Sequence, residues 1–259
     1  MSQTLSKINS RDIEEISSSH NEPIWLKQYR QNSLSIYDAL PIETSPLYNK
    51  YTDAKRMDPQ QVYFSASTAK TVPTFLQKRL YELEKETCII QIGSNTHKIH
   101  LPEELKSKGL VITSIDDAIK NNPELVKKAL ESSNSKEDKF TALNNAAFNS
   151  GIFIHIPRNL VLEKPIHILS CLSDDGISTI ARNIIFADES SKATIVQELY
   201  SSKSEKQQAY LELLNTNIAQ NAQLDFTTLQ MMDQTTVNFS TRRTDLARDS
   251  KVNWYSGLF

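Results

Sequence analysis

Glycine is scarce in this sequence of 259 residues, which has only five, at positions 93, 109, 151, 176 and 257. They form neither GxGxxG nor GxxxxGKS/T, so the chain lacks both a dinucleotide-binding fingerprint and a phosphate-binding loop. The GxSxG turn of serine hydrolases and the HExxH helix of zinc hydrolases are also missing. The sequence therefore offers none of the common motifs of nucleotide binding or hydrolysis.

The chain also has little net charge and no long apolar run. A formal net charge of -2 provides no general attraction to nucleic acid or to anionic membranes. The first residues, MSQTLSKINSRDIEE, lack the apolar stretch of an export signal, and no later run reaches the roughly 20 residues that span a bilayer. We therefore expect a cytoplasmic protein that binds neither nucleic acid nor membrane.

Cysteine is rare as well, since only Cys88 and Cys171 occur and no CxxC is present. Two distant cysteines do not support a disulfide framework. Each thiolate could ligate iron, but isolated free cysteines more often behave as small buried hydrophobic residues. The sequence therefore assigns no metal ligand and no cofactor to the isolated chain.

The first half of the sequence predicts mainly helices. One helix is expected from Asn21 to Leu40 and another from Thr74 to Glu86, with Asn21 and Thr74 as their N-caps. Ser114 is expected to cap a third. The stretch ESSNSKED at 131–138 predicts a solvated linker. It divides the chain into an α-rich N-terminal subdomain, residues 1–138, and a core domain, residues 139–259.

The hydrophobic period changes within KFTALNNAAFNSGIFIHIPRNLVLEKPIHI, residues 139–168. Its first half has apolar residues on one helical face, whereas its second half alternates as a strand does. Gly151 stands at the change, where it suits a helix C-cap. The segment therefore predicts a helix that leads into a β-domain, with three isoleucines pointing inward: Ile152, Ile154 and Ile156.

Strand follows strand after residue 150, with no helical pattern between them. This spacing fits a sandwich, a jelly roll or a solenoid. A loose recurrence about every 30 residues, at 181–183, 217–219 and 247–249, favours stacked coils. The expected strands are Ile152–Ile156, Ile166–Leu169, Asn183–Ala187, Ala193–Leu199, Tyr210–Asn215, Leu224–Met231, Thr236–Ser240 and Val252–Tyr255.

Several segments carry a family resemblance. Residues 139–168 follow the order FxxLNxAxxxxGxFIxIPxNxxxExPIxI, and RNIIFADESSKATIVQE, LARDSKVNW, NEPIWLKQYRQNSLSIYDALP and Tyr51-Thr52-Asp53 add to it. From about Glu22 onward the chain resembles the SufB/SufD family of the SUF iron–sulfur cluster assembly system. The resemblance implies a mainly β fold, with a right-handed parallel β-helix core of the SufBD type after a mixed, largely helical N-terminal subdomain.

The resemblance also implies a role and partners. SufB-type relatives place Glu-Gly-Cys at the end of the strand that here reads Gln197-Glu198-Leu199, so the chain is SufD-like. A non-enzymatic scaffold subunit is implied, which pairs with a SufB-like subunit and a SufC-type ATPase and holds at most a transient iron–sulfur cluster in that complex. The family's cluster histidine and its SufC-docking helices would lie beyond Phe259, so no site residue is assigned from it.

Four histidines are candidate metal ligands: His97, His100, His155 and His167. His97 and His100 should point to opposite sides of a strand, which makes a shared metal site less favourable than two solvated side chains. His155 and His167 each lie between isoleucines and should face away from the apolar side. Either could serve as a ligand at an interface. Surface histidines with ordinary hydrogen-bond partners explain the pattern with fewer assumptions.

The acidic pairs support a competing hypothesis. Asp174-Asp175 and Asp188-Glu189 could serve a carbohydrate-active parallel β-helix enzyme that uses clustered carboxylates. Both pairs adjoin Gly or Ser, so turn formation explains them with fewer assumptions. We expect no enzyme activity and assign no catalytic residue.

The last residues predict an apolar interaction surface. A β-helix that ends at Phe259 would leave apolar side chains without a covering layer. We expect this end to be covered by a second copy of the chain, giving a homodimer, or by the SufB-like subunit, through strand addition. The side chains concerned are Val252, Trp254, Leu258 and Phe259.

Overall fold

The computed structural model describes residues 3–4, 8–41, 62–66, 68 and 71–259. Tyr51-Thr52-Asp53, one of the segments of the family resemblance, lies outside the described residues. None of the described helices is long and apolar enough to cross a membrane.

The helices precede the long strands in the chain. A 3-10 turn at Thr74–Leu76 leads directly into the third α-helix. The α-helices are α1 (Ser10–Ser19), α2 (Ile24–Ala39), α3 (Gln77–Glu82), α4 (Glu103–Ser107), α5 (Ile115–Asn121), α6 (Pro123–Glu131) and α7 (Lys139–Ala147).

The strands lengthen markedly after residue 150. All the strands predicted there are present, and most extend further than the apolar pattern indicated. In chain order they are β1 (Gln3–Thr4), β2 (Tyr63–Phe64), β3 (Cys88–Ile92), β4 (Asn95–His100), β5 (Val111–Ser114), β6 (Ile152–Ile156), β7 (Ile166–Leu172), β8 (Ile177–Ala187), β9 (Lys192–Ser201), β10 (Gln208–Ile218), β11 (Gln223–Met231), β12 (Thr236–Leu246) and β13 (Lys251–Leu258).

The long strands form two parallel stacks. One sheet has β6, β8, β10 and β12 side by side, and the other has β3, β7, β9, β11 and β13. From β6 onward, successive strands alternate between the two sheets, which is the topology of a parallel β-solenoid. This confirms the predicted mainly β fold, with about three solenoid turns after a helical N-terminal region.

Each solenoid turn occupies 31 or 28 residues, as the side-by-side positions of Ile185, Thr216 and Thr244 show. The recurrence was therefore predicted correctly, but its landmarks were wrong, because 181–183 and 217–219 do not occupy equivalent positions. The true marker is a residue with a left-handed backbone at the same bend of each turn. These residues are Asn159, Ser190, Asn221 and Asp249, with φ of 62°, 59°, 59° and 58°.

The inward isoleucines are confirmed. Ile152, Ile154 and Ile156 are fully buried and pack inside the solenoid with Ile168 and Ile195. Alternate residues of the same sheet face the helices instead, and Phe153 belongs to that second core, together with α1, α2 and α7. The sheet of β6, β8 and β10 is therefore apolar on both faces, as parallel sheets usually are.

Two predicted helix starts are wrong. α2 begins at Ile24 with Pro23 in the N-cap position, whereas Asn21 lies in the turn after α1 with a φ of 51°. Thr74 is likewise not a cap, because Pro73 precedes the 3-10 turn. In both cases the proline marks the boundary, since its fixed φ suits the first residues of a helix. Ser114 caps α5 as predicted.

Gly151 does not cap a helix. α7 ends at Ala147, and Gly151 lies in an extended segment with a φ of 154°. A Cβ atom there would stand 1.9 Å from the carbonyl oxygen of Arg182. Glycine is therefore required by the close approach of the neighbouring strand, which sequence spacing does not reveal.

The stretch 131–138 is not simply a solvated linker. Ser133 and Ser135 are buried, and the Ser133 hydroxyl accepts a hydrogen bond from Arg182 at 2.6 Å. Arg182 is wholly buried and also donates to Oδ1 of Asn145 at 2.6 Å. Burial lowers the pKa of this guanidinium to about 10. The stretch thus ties the helices to the outer face of β8.

Candidate functional site

A row of polar side chains runs through the solenoid interior. It begins at Gln91, which donates to the carbonyl oxygen of Gly151 at 2.7 Å, and continues where the Ile152 amide donates to Asn183 at 3.0 Å. The row passes through successive turns of the solenoid, between apolar side chains on either side. We call this set the axial polar row; its side chains are Gln91, Asn183, Glu212, Gln197, Thr228, Arg242 and Ser256.

Glu212 is the centre of the axial polar row. Its Oε1 accepts hydrogen bonds from Asn183 at 2.6 Å and from Gln197 at 2.5 Å, which joins the two sheets. Glu212 is only 3% exposed, so an ionisable group is held inside the protein. Buried polar groups of this kind are costly unless they are hydrogen-bonded, so the two amide donors stabilise it there.

The axial polar row continues toward the last described turn. Thr228 donates to Oε1 of Gln197 at 3.1 Å, and Arg242 donates to the Thr228 hydroxyl at 2.7 Å. The Arg242 guanidinium also lies 5.1 Å from the centre of the Trp254 ring. The solenoid therefore has a hydrogen-bonded interior, not a purely apolar one.

The axial polar row was not predicted from the sequence. A signal was present, because strand alternation places Glu212 on the same face as Leu214, which packs inside the solenoid. Gln197 alternates in the same way with Ile195. A polar residue that interrupts an inward apolar face is the pattern that predicts a buried polar group.

A second polar cluster lies on the outer face of the sheet of β7 and β9. Arg79 of α3 donates two parallel hydrogen bonds to Glu198, at 2.9 Å from Nε and 2.6 Å from Nη2. The Tyr200 hydroxyl donates to the same carboxylate at 3.0 Å, and Nδ1 of His167 lies 3.8 Å away. We call these four residues the Glu198 cluster. A bidentate pair of this kind fixes α3 against β9.

The Glu198 cluster lowers the pKa of the Glu198 carboxyl. Burial alone would raise the pKa of the Glu198 carboxyl, but His167, Arg79 and Tyr200 outweigh it and lower that pKa to about 2. Burial, with the neighbouring carboxylate, raises the pKa of Tyr200. Glu198 is therefore a carboxylate at neutral pH although its side chain is 4% exposed.

We expect Glu198 to make the fold sensitive to acid. The pKa of its carboxyl is lower in the folded protein than the ordinary 4.5, so its ionisation stabilises the fold above about pH 4.5. That contribution is lost as the pH falls from there toward about 2. Urea unfolding across this window should show wild type losing free energy of unfolding more steeply than Glu198→Gln.

Glu82 provides the matched control for this measurement. It also pairs with Arg79, at 2.9 Å, but its side chain is 44% exposed. Exposed pairs contribute little, so Glu82→Gln should leave the pH profile nearly as in wild type. Equal slopes for wild type and Glu198→Gln would show that the Glu198 carboxylate is not stabilised as described.

Both cysteines, Cys88 and Cys171, are buried in the apolar cluster that includes Leu76 and Leu83, the residues on either side of α3. Ile90 belongs to the same cluster. Burial raises the pKa of the Cys171 thiol to about 12 and also raises that of Cys88. Because the thiolate is the form that ligates metals, neither thiol is prepared to bind iron in this fold.

The four candidate histidines lie on three strands, with His97 and His100 on β4, His155 on β6 and His167 on β7. His97 and His100 occupy alternate faces of β4, and Nδ1 of His100 contacts the backbone oxygen of Glu86 at 2.7 Å. His155 faces away from the isoleucines, as predicted, and contacts Asp188 at 2.8 Å. His167 is not a surface histidine, since its side chain is 14% exposed beside Glu198.

Residues of the acidic pairs contact side chains of neighbouring solenoid turns. Asp175 accepts a hydrogen bond from Ser204 at 2.6 Å, and Glu189 accepts one from Arg158 at 2.9 Å. Asp188 contacts His155 at the bend that contains Ser190. Within the described ranges, no three His, Cys, Asp or Glu side chains form a group that could hold a metal ion.

The architecture defines a class of protein: a parallel β-solenoid with a hydrogen-bonded polar interior, joined to a helical N-terminal region. Two family models match the chain in succession. The SufBD protein N-terminal region covers residues 19–168, and the SufBD core domain of SUF system FeS cluster assembly covers residues 170–259. The chain belongs to the SufBD family.

Comparison with curated proteins agrees with this assignment. The chain is 26% identical over 267 residues to the iron–sulfur cluster assembly protein SufD of Bacillus subtilis (strain 168), an alignment that covers 98% of this chain and 60% of that protein. It is 25% identical over 259 residues to an iron–sulfur cluster assembly SufBD family protein of Staphylococcus aureus (strain USA300), with coverages of 95% and 55%. The chain thus spans 55% to 60% of the length of these relatives.

Proposed function

We propose that this chain is a non-catalytic scaffold subunit in iron–sulfur cluster assembly, acting in a complex of the SufB–SufC–SufD type. The observation that carries the proposal is the match of both SufBD family models along nearly the whole chain, on a parallel β-solenoid. The SufD-like subtype is supported by Gln197-Glu198-Leu199, because SufB-type relatives place Glu-Gly-Cys at the end of this strand and no thiol is present here.

The chemistry of the described residues supports a scaffold more than a carrier. The cluster is the cargo of such a system, and its iron requires thiolates or imidazoles as ligands. Cys88 and Cys171 are buried with raised thiol pKa values, and the described histidines do not converge. In this proposal the cluster ligands come from the partner subunit or from residues that complete the site in the complex.

Partner capture tests the proposal. The tagged chain, purified anaerobically from its source cell and analysed by mass spectrometry, should recover a SufB-like subunit and a SufC-type ATPase. Ile154→Asp is the control, because a chain that cannot form the solenoid should lose both partners. Recovery of neither protein by folded wild type would contradict the scaffold proposal, and recovery of a second copy alone would favour a homodimer.

We expect the isolated chain to purify colourless and to hold no stoichiometric iron. The reason is that its thiols are buried and protonated at neutral pH, so they do not compete for iron. Iron analysis and absorption spectra after anaerobic reconstitution measure this directly. About one intact cluster per chain that disappears in Cys171→Ser would overturn the expectation.

A further inference from the structure

A small cleft lies between α6 and the outer face of the sheet of β8, β10 and β12. Its volume is about 50 Å³, and its lining includes Lys128, Ile184, Phe186, Asn217 and Asp245. One buried water needs about 10–15 Å³ of such space, so the cleft accommodates roughly three to five non-hydrogen atoms. Pockets for drug-sized molecules are several times larger. The cleft is therefore suited to a very small ligand.

The strand register defines one wall of the cleft. Phe186, Asn217 and Asp245 lie side by side on β8, β10 and β12. Residues in register on neighbouring parallel strands point to the same face of a sheet, and Phe186 belongs to the core that packs against the helices. Asn217 and Asp245 therefore face the helical side of the sheet, not the solenoid interior.

Lys128 of α6 forms the opposite wall. Its ammonium nitrogen lies 5.7 Å from the centre of the Phe186 ring. Phe186 is buried, so its ring forms an apolar floor beneath that ammonium group. The cleft thus has a positive charge at the β8 end, the Asp245 carboxylate at the β12 end and the Asn217 amide between them.

The polar side chains of the cleft are available to a ligand. Among the residues that the structure describes, Lys128, Asn217 and Asp245 have no side-chain ion pair or hydrogen bond. The adjacent lysine differs in this respect, because Lys127 pairs with Glu124 at 3.0 Å. A ligand in the cleft can therefore bind three polar groups without breaking contacts within the protein.

The separation of the two charges restricts the ligand. Two strand spacings of about 4.8 Å place Asp245 roughly 10 Å from Phe186, over which Lys128 lies. Hydrogen bonds of about 2.8 Å at each end leave about 4 Å for the ligand itself. A simple anion would be attracted to Lys128 and repelled by Asp245, and a simple cation the reverse. A molecule with a carboxylate and an ammonium group a few bonds apart satisfies both ends.

We propose that this cleft binds a small zwitterionic amino acid. Lys128 binds the carboxylate of the ligand, Asp245 binds its ammonium group, and the Asn217 amide can donate to the first or accept from the second. The site is separate from the axial polar row and from the Glu198 cluster. It is independent of the proposed function, because it rests only on the geometry of α6 and of three solenoid strands.

Titration of the folded full chain with glycine tests the site. With isoleucine δ1-methyl labelling, the Ile184 methyl resonance should shift saturably in nuclear magnetic resonance spectra, whereas that of Ile195, inside the solenoid, should not move. Lys128→Gln and Asp245→Asn should each weaken glycine binding at least about tenfold, since each removes a charged partner. Lys127→Gln is the matched control and should bind glycine as wild type does.

Acetate and methylammonium distinguish the alternatives. Each carries only one of the two charges, so each should bind at least about tenfold more weakly than glycine. Acetate that binds as tightly as glycine would overturn the proposal in favour of an anion site, and methylammonium that does so would overturn it in favour of a cation site. No saturable Ile184 shift with glycine, or unchanged glycine binding in either Lys128→Gln or Asp245→Asn, would also overturn it.

Discussion

Ile154→Asp should prevent stable folding of the solenoid. Ile154 is fully buried and stands beside Ile112 and Ile185 in the ladder of three strands. An aspartate there would bury a charge with no partner, and we expect a loss of about 4 kcal/mol or more in the free energy of unfolding. Urea unfolding followed by circular dichroism measures the loss, and soluble yield should fall with it.

Gln223→Asp is the control for this substitution. Gln223 is the first residue of β11 and is exposed, so the same carboxylate remains hydrated. Its effect should stay within about 0.5 kcal/mol, as for most surface substitutions. If Ile154→Asp were tolerated as well as Gln223→Asp, the inward direction of β6 would be wrong.

Arg30→Met should cause the second large loss of stability. Arg30 and Glu22 form a pair at 2.6 Å with both side chains 1% exposed. The guanidinium also donates to the Ala146 backbone oxygen at 3.2 Å and stacks 3.7 Å from the Phe148 ring centre. Removing it leaves Glu22 buried and unpaired, for which we expect a cost of about 3–5 kcal/mol.

A double variant separates the charge from the packing. Glu22→Leu/Arg30→Met removes both charges, so it should recover much of the stability that Arg30→Met loses, because replacing a buried pair by apolar groups is often neutral. The exposed pair Lys27–Glu14, at 3.3 Å between α2 and α1, is the control, and Lys27→Met should cost under about 1 kcal/mol. A double variant as unstable as Arg30→Met would show that the loss comes from packing alone.

The strands of the solenoid were predictable because their information is local. Ile152–Ile156 was located to the residue, since it combines β-branched side chains with a boundary residue, Pro157. Strand ends were less accurate where polar residues continue the ladder. Thr236–Ser240, for example, continues to Leu246 because backbone pairing with β10 does not depend on apolar side chains.

The polar sites were not predictable from local pattern. Arg79 and Glu198 are 119 residues apart and meet only because α3 packs across β9. Glu212 and Gln197 belong to different sheets, and their contact depends on how the chain bends between the consecutive strands β9 and β10. The buried role of Arg182 was hidden for the same reason, since its partners Asn145 and Ser133 precede the strand that carries it.

The sequence by itself determined the strand content, the recurrence of the turns, the inward isoleucines and the family resemblance. These follow from side-chain alternation and from the order of residues, both of which are properties of neighbouring positions in the chain. Only the tertiary structure decided the axial polar row, the Glu198 cluster and the burial of both cysteines. Each of these depends on which distant residues meet in the interior, because burial and the exclusion of water are what change the pKa of Glu198 and of the thiols.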